Sequence, residues 1–252
     1  MRSKALIIVL LISLLAILAL CLTAAINGGL VLYESGDLVI TDYFSIGQSI
    51  LRSIALLVFT LIYCKTWYYG ESPGNAFEDL FLFAAALIET RVFYQYTNIT
   101  GQCFIPPVVL ARIQITSVIL MLLSLISTAI CYQNNEYSTV SFLKGICVAV
   151  ALAMGLLLPL PVSYENVFRM NPSLWILIIL SATAFVSNLV LMFIEPPGIE
   201  TFKHLTSIVI IEGVFAIFFF NLTYSDLFGS VLLVLGYIAN AILSARNSIS
   251  LY

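Results

Sequence analysis

Three arginines and one glutamate sit inside apolar stretches, where a formal charge is costly, and any site chemistry must start from them: Arg52, Arg91, Arg112 and Glu89. An arginine at the centre of a membrane span costs about 2.5–3.5 kcal/mol on insertion scales, so each requires solvation or a partner. Counted from the outer ends of their spans, the three guanidinium groups share a depth of roughly 9–13 Å at a helical rise of 1.5 Å per residue. Glu89 is the only carboxylate in that layer, which leaves a formal excess of two positive charges.

Guanidinium forks match the oxygens of phosphate, pyrophosphate and carboxylate groups. The layer is therefore expected to hold an anionic headgroup near the outer leaflet, with Glu89 orienting the clamp and Gln48 and Gln95 as polar neighbours. Gln48 precedes Arg52 by four residues and Gln95 follows Arg91 by four, so each amide shares a helix face with its arginine. Glu89 lies about 200° around the helix from Arg91, so those two are not a simple intrahelical pair. Two structural alternatives compete with the clamp. Each arginine can snorkel to the headgroups, or the outer-loop acids Glu34, Asp37, Asp42, Glu165 and Asp226 can fold over and pair with them.

Glu212 is the second candidate. A lone carboxylate within a span can carry a proton or coordinate a cation, or serve as a hydrogen-bond partner to a neighbouring helix. Glu78 and Asp79, at the start of the third span, read as favourable partners of a helix N-terminus. Ser181, Ala184 and Asn188 form a small, polar stripe suited to helix packing.

The elements that must position these groups are apolar helices. The chain is 62 % hydrophobic and 9 % charged, with a mean hydropathy of +1.09, values that belong to a bilayer-embedded protein. Eight spans are expected, at about 5–26, 46–64, 77–97, 106–131, 145–160, 174–194, 205–222 and 227–245, forming one all-α, polytopic membrane domain. The first run is read as an uncleaved helix because it is longer than a secretory apolar core. Polar loops are expected at 27–45, 132–144 and 195–204. Arg2, Lys4, Lys65, Lys144, Lys203 and Arg246 then share one side and only Arg169 falls on the other, which places both termini in the cytoplasm.

Composition also excludes functions. No polar stretch is long enough to bury a core outside the membrane. A net charge of −3 with scattered basic residues excludes nucleic acid as a partner. His204 is the single histidine and lies beside a loop, no H-E-x-x-H or G-x-S-x-G pattern occurs, and no lysine sits within a span to form a Schiff base. No metal, cofactor or catalytic residue is assigned. The five cysteines show no C-x-x-C spacing and read as buried thiols; Cys103, in an outer turn, would pair with Cys21 if both lay at the outer ends of their helices.

Three functional readings follow. The first is a transporter, flippase-like protein or receptor-like binder of an anionic or amphipathic ligand, such as an anionic lipid or lipid-linked phosphate. The second is a non-catalytic subunit of a larger membrane complex, with other membrane subunits as partners. The third is an intramembrane enzyme acting on a lipid-linked phosphate. Membrane lipids are partners in all three, and the charge bias suits a bacterial inner (plasma) membrane.

Overall fold

In hydrocarbon a backbone must satisfy its own N–H and C=O groups, and long Leu-, Ile- and Val-rich runs do so as helices. The computed structural model describes residues 4–35, 40–69, 77–131, 137–160, 172–195, 197–219 and 223–249. Among them the elements are all helices: α1 (Lys4–Ser35), α2 (Ile40–Tyr69), α3 (Glu78–Glu89), α4 (Val92–Thr100), α5 (Pro107–Cys131), α6 (Tyr137–Leu157), α7 (Pro172–Ile194), α8 (Ile199–Phe219) and α9 (Thr223–Ile249). Seven of them are long and apolar enough to cross a membrane. The exceptions are α3 and α4, which together occupy the third expected span.

That span is broken, not continuous. Thr90 and Arg91 make short i to i−3 bonds to the Leu87 and Ile88 carbonyls, both at 3.2 Å, which tightens the chain between the two helices. The Thr90 hydroxyl donates to the Leu87 carbonyl at 2.6 Å, and the Gln114 amide of α5 donates to the Ile88 carbonyl at 3.1 Å and to Thr90 Oγ1 at 3.0 Å. Carbonyls at the end of α3 are thus satisfied within a buried environment.

Three expected loops are largely helical. The stretch 27–45 continues α1 to Ser35 and resumes as α2 at Ile40, because Leu32 and Ile46 bury together with Cys21, Ala25 and Val92 in an apolar cluster. The stretch 195–204 contains the start of α8 at Ile199. Glu200 in that first turn complements the helix dipole, and Phe202 N–H bonds back to Gly198. The expected loop 132–144 likewise contains the start of α6 at Tyr137. Asp37, Glu165, Arg169 and the side chain of Asp42 lie outside the described residues.

The bundle is organised around α5. Of its apolar window 67 % is buried, against 22 % for α6 and α7, so α5 is the central post and those two lie at the periphery. Two glycine contacts set helix spacing. A Cβ at Gly155 would stand 1.9 Å from Thr116 Oγ1, so only glycine lets α6 lie this close to α5. A Cβ at Gly229 would meet the Gly213 carbonyl at 2.7 Å, which makes α8 and α9 a close-packed pair. Phe59, Phe81 and Tyr237 fill the space between α2, α3 and α9.

Candidate functional site

The site is built where α2, the end of α3 and the first turns of α9 meet. Glu89 is the last residue of α3 and is fully buried; Arg52 on α2 is 5 % exposed. Arg52 Nε donates to both carboxylate oxygens of Glu89, at 3.0 and 3.2 Å. Its other nitrogens are also engaged, Nη1 by Ser230 Oγ of α9 at 2.6 Å and Nη2 by Ser49 Oγ at 3.3 Å. A guanidinium buried at this depth is tolerable because its charge is balanced and its donors have acceptors.

Both glutamines belong to the same network. Ser230 Oγ shares its hydrogen between the Asp226 backbone carbonyl at 2.6 Å and Gln48 Oε1 at 3.2 Å. Ser49 Oγ donates to Gln95 Oε1 at 3.2 Å, and Gln95 Nε2 donates to Ser45 Oγ. Arg91 lies beside it, in the turn between α3 and α4, where its guanidinium stands 3.6 Å from Asp226 Oδ2 and 5.8 Å from the Phe218 ring centroid. These side chains are 19 % and 31 % exposed, so this pair is the open part of the site. Among the described residues, Asp226 is thus the member of the outer-acid group that pairs with an arginine.

Arg112 takes different partners. Its Nη1 donates to the Gly155 carbonyl at 2.9 Å and to the Leu158 carbonyl, closing the C-terminal end of α6. The Gly155–Thr116 contact one helical turn along brings those carbonyls within reach. Arg52, Arg91, Glu89, Gln48 and Gln95 are therefore brought together, whereas Arg112 serves α6. Glu212 is exposed on the outer surface of α8, on the same face as Phe202 and Leu205.

No protein-family model, no curated protein and no solved structure matches this chain. The site must be read from its own chemistry.

A second polar group lies at the other end of the same seam. Ser244 of α9 donates to Glu78 Oε1 at 2.8 Å, and Lys203 of α8 stands 3.9 Å from that oxygen and 3.9 Å from Glu200 Oε2. Beside it, the His204 ring nitrogens face Asn188 Oδ1 at 3.0 Å and Glu195 Oε1 at 3.3 Å. Lys144 of α6 binds both oxygens of Asp79 at 2.6 Å. His204 is thus buried in the bundle while facing Glu195 of the connection between α7 and α8.

Sequence reasoning missed this second group and the role of α9, although a signal was present. Asp226, Ser230, Tyr237, Asn240 and Ser244 fall within about 40° of one line at 100° per residue, a single face of α9. Glu78 and Glu89 similarly share a face of α3, eleven residues apart. Along α9 the stripe from Asp226 to Ser244 is about 27 Å long, close to the thickness of a bilayer's hydrocarbon core. The five cysteines are free thiols, with Cys21 buried and Cys103 exposed. Among the described residues no three His, Cys, Asp or Glu side chains are grouped to hold a metal ion.

Proposed function

We propose that this multi-pass membrane protein is a transporter that receives an anionic or amphipathic ligand at Arg91 and moves it along the seam between α2, α3 and α9. The observation that carries the reading is the contrast between two adjacent ion pairs. Arg52–Glu89 is buried and closely bonded, whereas Arg91–Asp226 is long at 3.6 Å and partly exposed. A phosphate or carboxylate can take the place of Asp226 on Arg91, exchanging one anion for another while the deeper pair stays closed. The break between α3 and α4 supports the reading, since interrupted helices are common where transporters hold ligands. In this reading the compartment is a bacterial inner membrane and Arg112 is a structural support.

Binding is tested by the shift in thermal unfolding of purified protein on adding phosphate, pyrophosphate or short-chain anionic lipid. A ligand that binds only the folded state raises stability according to its concentration over Kd. Arg91→Ala is expected to lose the anion-dependent shift, and Arg112→Ala to keep it on a less stable background. Equal shifts in wild type and Arg91→Ala overturn the reading.

Glu212 favours a second reading, that of a subunit in a membrane complex. Its carboxylate faces outward between apolar side chains and has no partner among the described residues. A neighbouring subunit presenting a lysine or arginine at that depth would satisfy it. Loss of a stoichiometric co-purifying partner in Glu212→Leu supports this reading, and the absence of any such partner from wild type removes it.

A further inference from the structure

The seam's second polar group encloses a cavity of about 30 Å³, lined in part by Glu78, Thr128, Lys203, His204, Ser207 and Asn240. That volume holds about two water molecules. Glu78 is 8 % exposed, and its Oε2 is buried with no hydrogen-bond partner, whereas Oε1 accepts from Ser244. A buried carboxylate oxygen without a donor is costly unless it carries a proton or meets water.

The surrounding charges define what is lacking. On its own helix, Asp79 is matched by Lys144 of α6. From α8, Lys203 lies midway between Glu78 and Glu200, 3.9 Å from each and too far for a direct hydrogen bond to either. The Asn188 amide of α7 donates to the Ala184 carbonyl, so its oxygen is left to accept from His204 Nδ1. His204 Nε2 then faces Glu195 Oε1. From α5 and α9 the cavity is lined by the uncharged Leu125, Thr128 and Asn240, and Ser244 of α9 donates to Glu78 from outside it; Lys65 of α2 and Arg246 of α9 are exposed at the ends of their helices. Glu78 and Glu200 therefore both lie within ion-pair distance of Lys203, and Glu78 Oε2 is the buried oxygen that lacks a donor.

We infer that this cavity is a proton-binding site, with Glu78 Oε2 as the acceptor and Lys203 as the cation exchanged between Glu78 and Glu200. A proton delivered by cavity water forms an O–H bond at Oε2 and neutralises the carboxylate. Lys203 then pairs with Glu200 alone, and the new O–H has the cavity oxygens as acceptors. The reverse step returns the proton to water and Lys203 to its shared position. Neither step requires a redox partner. Because Glu78 and Glu89 lie on one face of α3, a change at the first turn of α3 can bear on the arginine pair at its last residue. The use of the proton for coupling rests on the transport reading, but the site itself does not.

The test is infrared difference spectroscopy of the full chain in lipid nanodiscs, stepped between alkaline and acidic pH without added anion. Wild type is expected to gain a protonated-carboxyl carbonyl band that is missing in Glu78→Gln and retained in Glu212→Gln. Lys203→Met, which removes the competing cation, is expected to move the band's midpoint up by about one pH unit or more. A band unchanged in folded Glu78→Gln, or a midpoint indifferent to Lys203→Met, overturns the inference. A second measurement, proton uptake by proteoliposomes on adding the anion found to stabilise Arg91, separates the two claims. Glu78 titration without anion-dependent uptake leaves the proton site standing and removes only its coupling to transport.

Discussion

Arg52 and Glu89 form a two-point contact, with Nε 3.0 and 3.2 Å from the carboxylate oxygens and both side chains nearly or wholly buried. The pair joins the middle of α2 to the break in the third span, and Ser230 ties the same guanidinium to α9. Helices far apart in the chain thus meet at one charge-balanced point.

Removing one member of that pair leaves the other charge stranded. Glu89→Gln and Arg52→Met are each expected to destabilise by about 3–5 kcal/mol. The double substitution Arg52→Met with Glu89→Leu should recover most of that loss, because it removes both desolvated charges together. Unfolding of the purified protein in mixed detergent micelles measures all three. Additive losses in the double variant would show that the two residues do not act as a pair.

Asp226 competes with any anion for Arg91. Asp226→Asn should therefore increase the anion-dependent thermal shift relative to wild type, whereas Arg91→Ala abolishes it. The expected gain in affinity is up to about tenfold, the equivalent of 1.4 kcal/mol. A weakened anion response in Asp226→Asn would place the carboxylate on the side of binding, not of competition.

The interruption of the third span depends on Thr90. Thr90→Val keeps the branched shape but loses both the hydrogen bond to the Leu87 carbonyl and the acceptor for Gln114. The expected cost is about 1–3 kcal/mol. Hydrogen exchange at the amides of 90–94 should rise locally in the variant, and uniform protection across that segment would argue against the hydroxyl's role.

Glycines in similar helical settings should behave in opposite ways. Gly229→Val must displace the Gly213 carbonyl or separate α8 from α9, a cost of about 1–3 kcal/mol from overpacking alone. Gly145, exposed on α6 with nothing within 4 Å of a built Cβ, should gain about 0.5–1 kcal/mol as alanine. Paired unfolding curves test the contrast, and a Gly229→Val protein as stable as wild type would show that the helix contact can yield.

Lys144 binds Asp79 at 2.6 Å through both oxygens, which fastens α6 to the first turn of α3. Lys144→Met is expected to cost more than a surface ion pair, about 1–3 kcal/mol, because a half-buried carboxylate is left behind. Asp79→Asn in the same background should return part of that loss. No recovery in the double variant would show that the lysine contributes through its stem and not its charge.

Apolar run lengths alone determined the class of this protein, because a bilayer admits few backbone solutions and long Leu-, Ile- and Val-rich runs leave only helices. They also located the costly residues Arg52, Glu89, Arg91 and Arg112, since a charge inside such a run stands out at any register. The partners of those charges required tertiary structure. Depth along separate helices says nothing about azimuth, so Arg112 shared a layer with Arg52 yet turned toward the end of α6. Helix continuity was equally non-local: Leu32 and Ile46 extend α1 and α2 into an expected loop by burying together, and Gln114 supports a break that local propensity does not announce. The polar face of α9 was legible as a period, but its meaning was not. Only packing shows that Ser244 faces Glu78 and Ser230 faces Arg52, because which helices are neighbours depends on close contacts such as Gly213 with Gly229, which no spacing along the chain encodes.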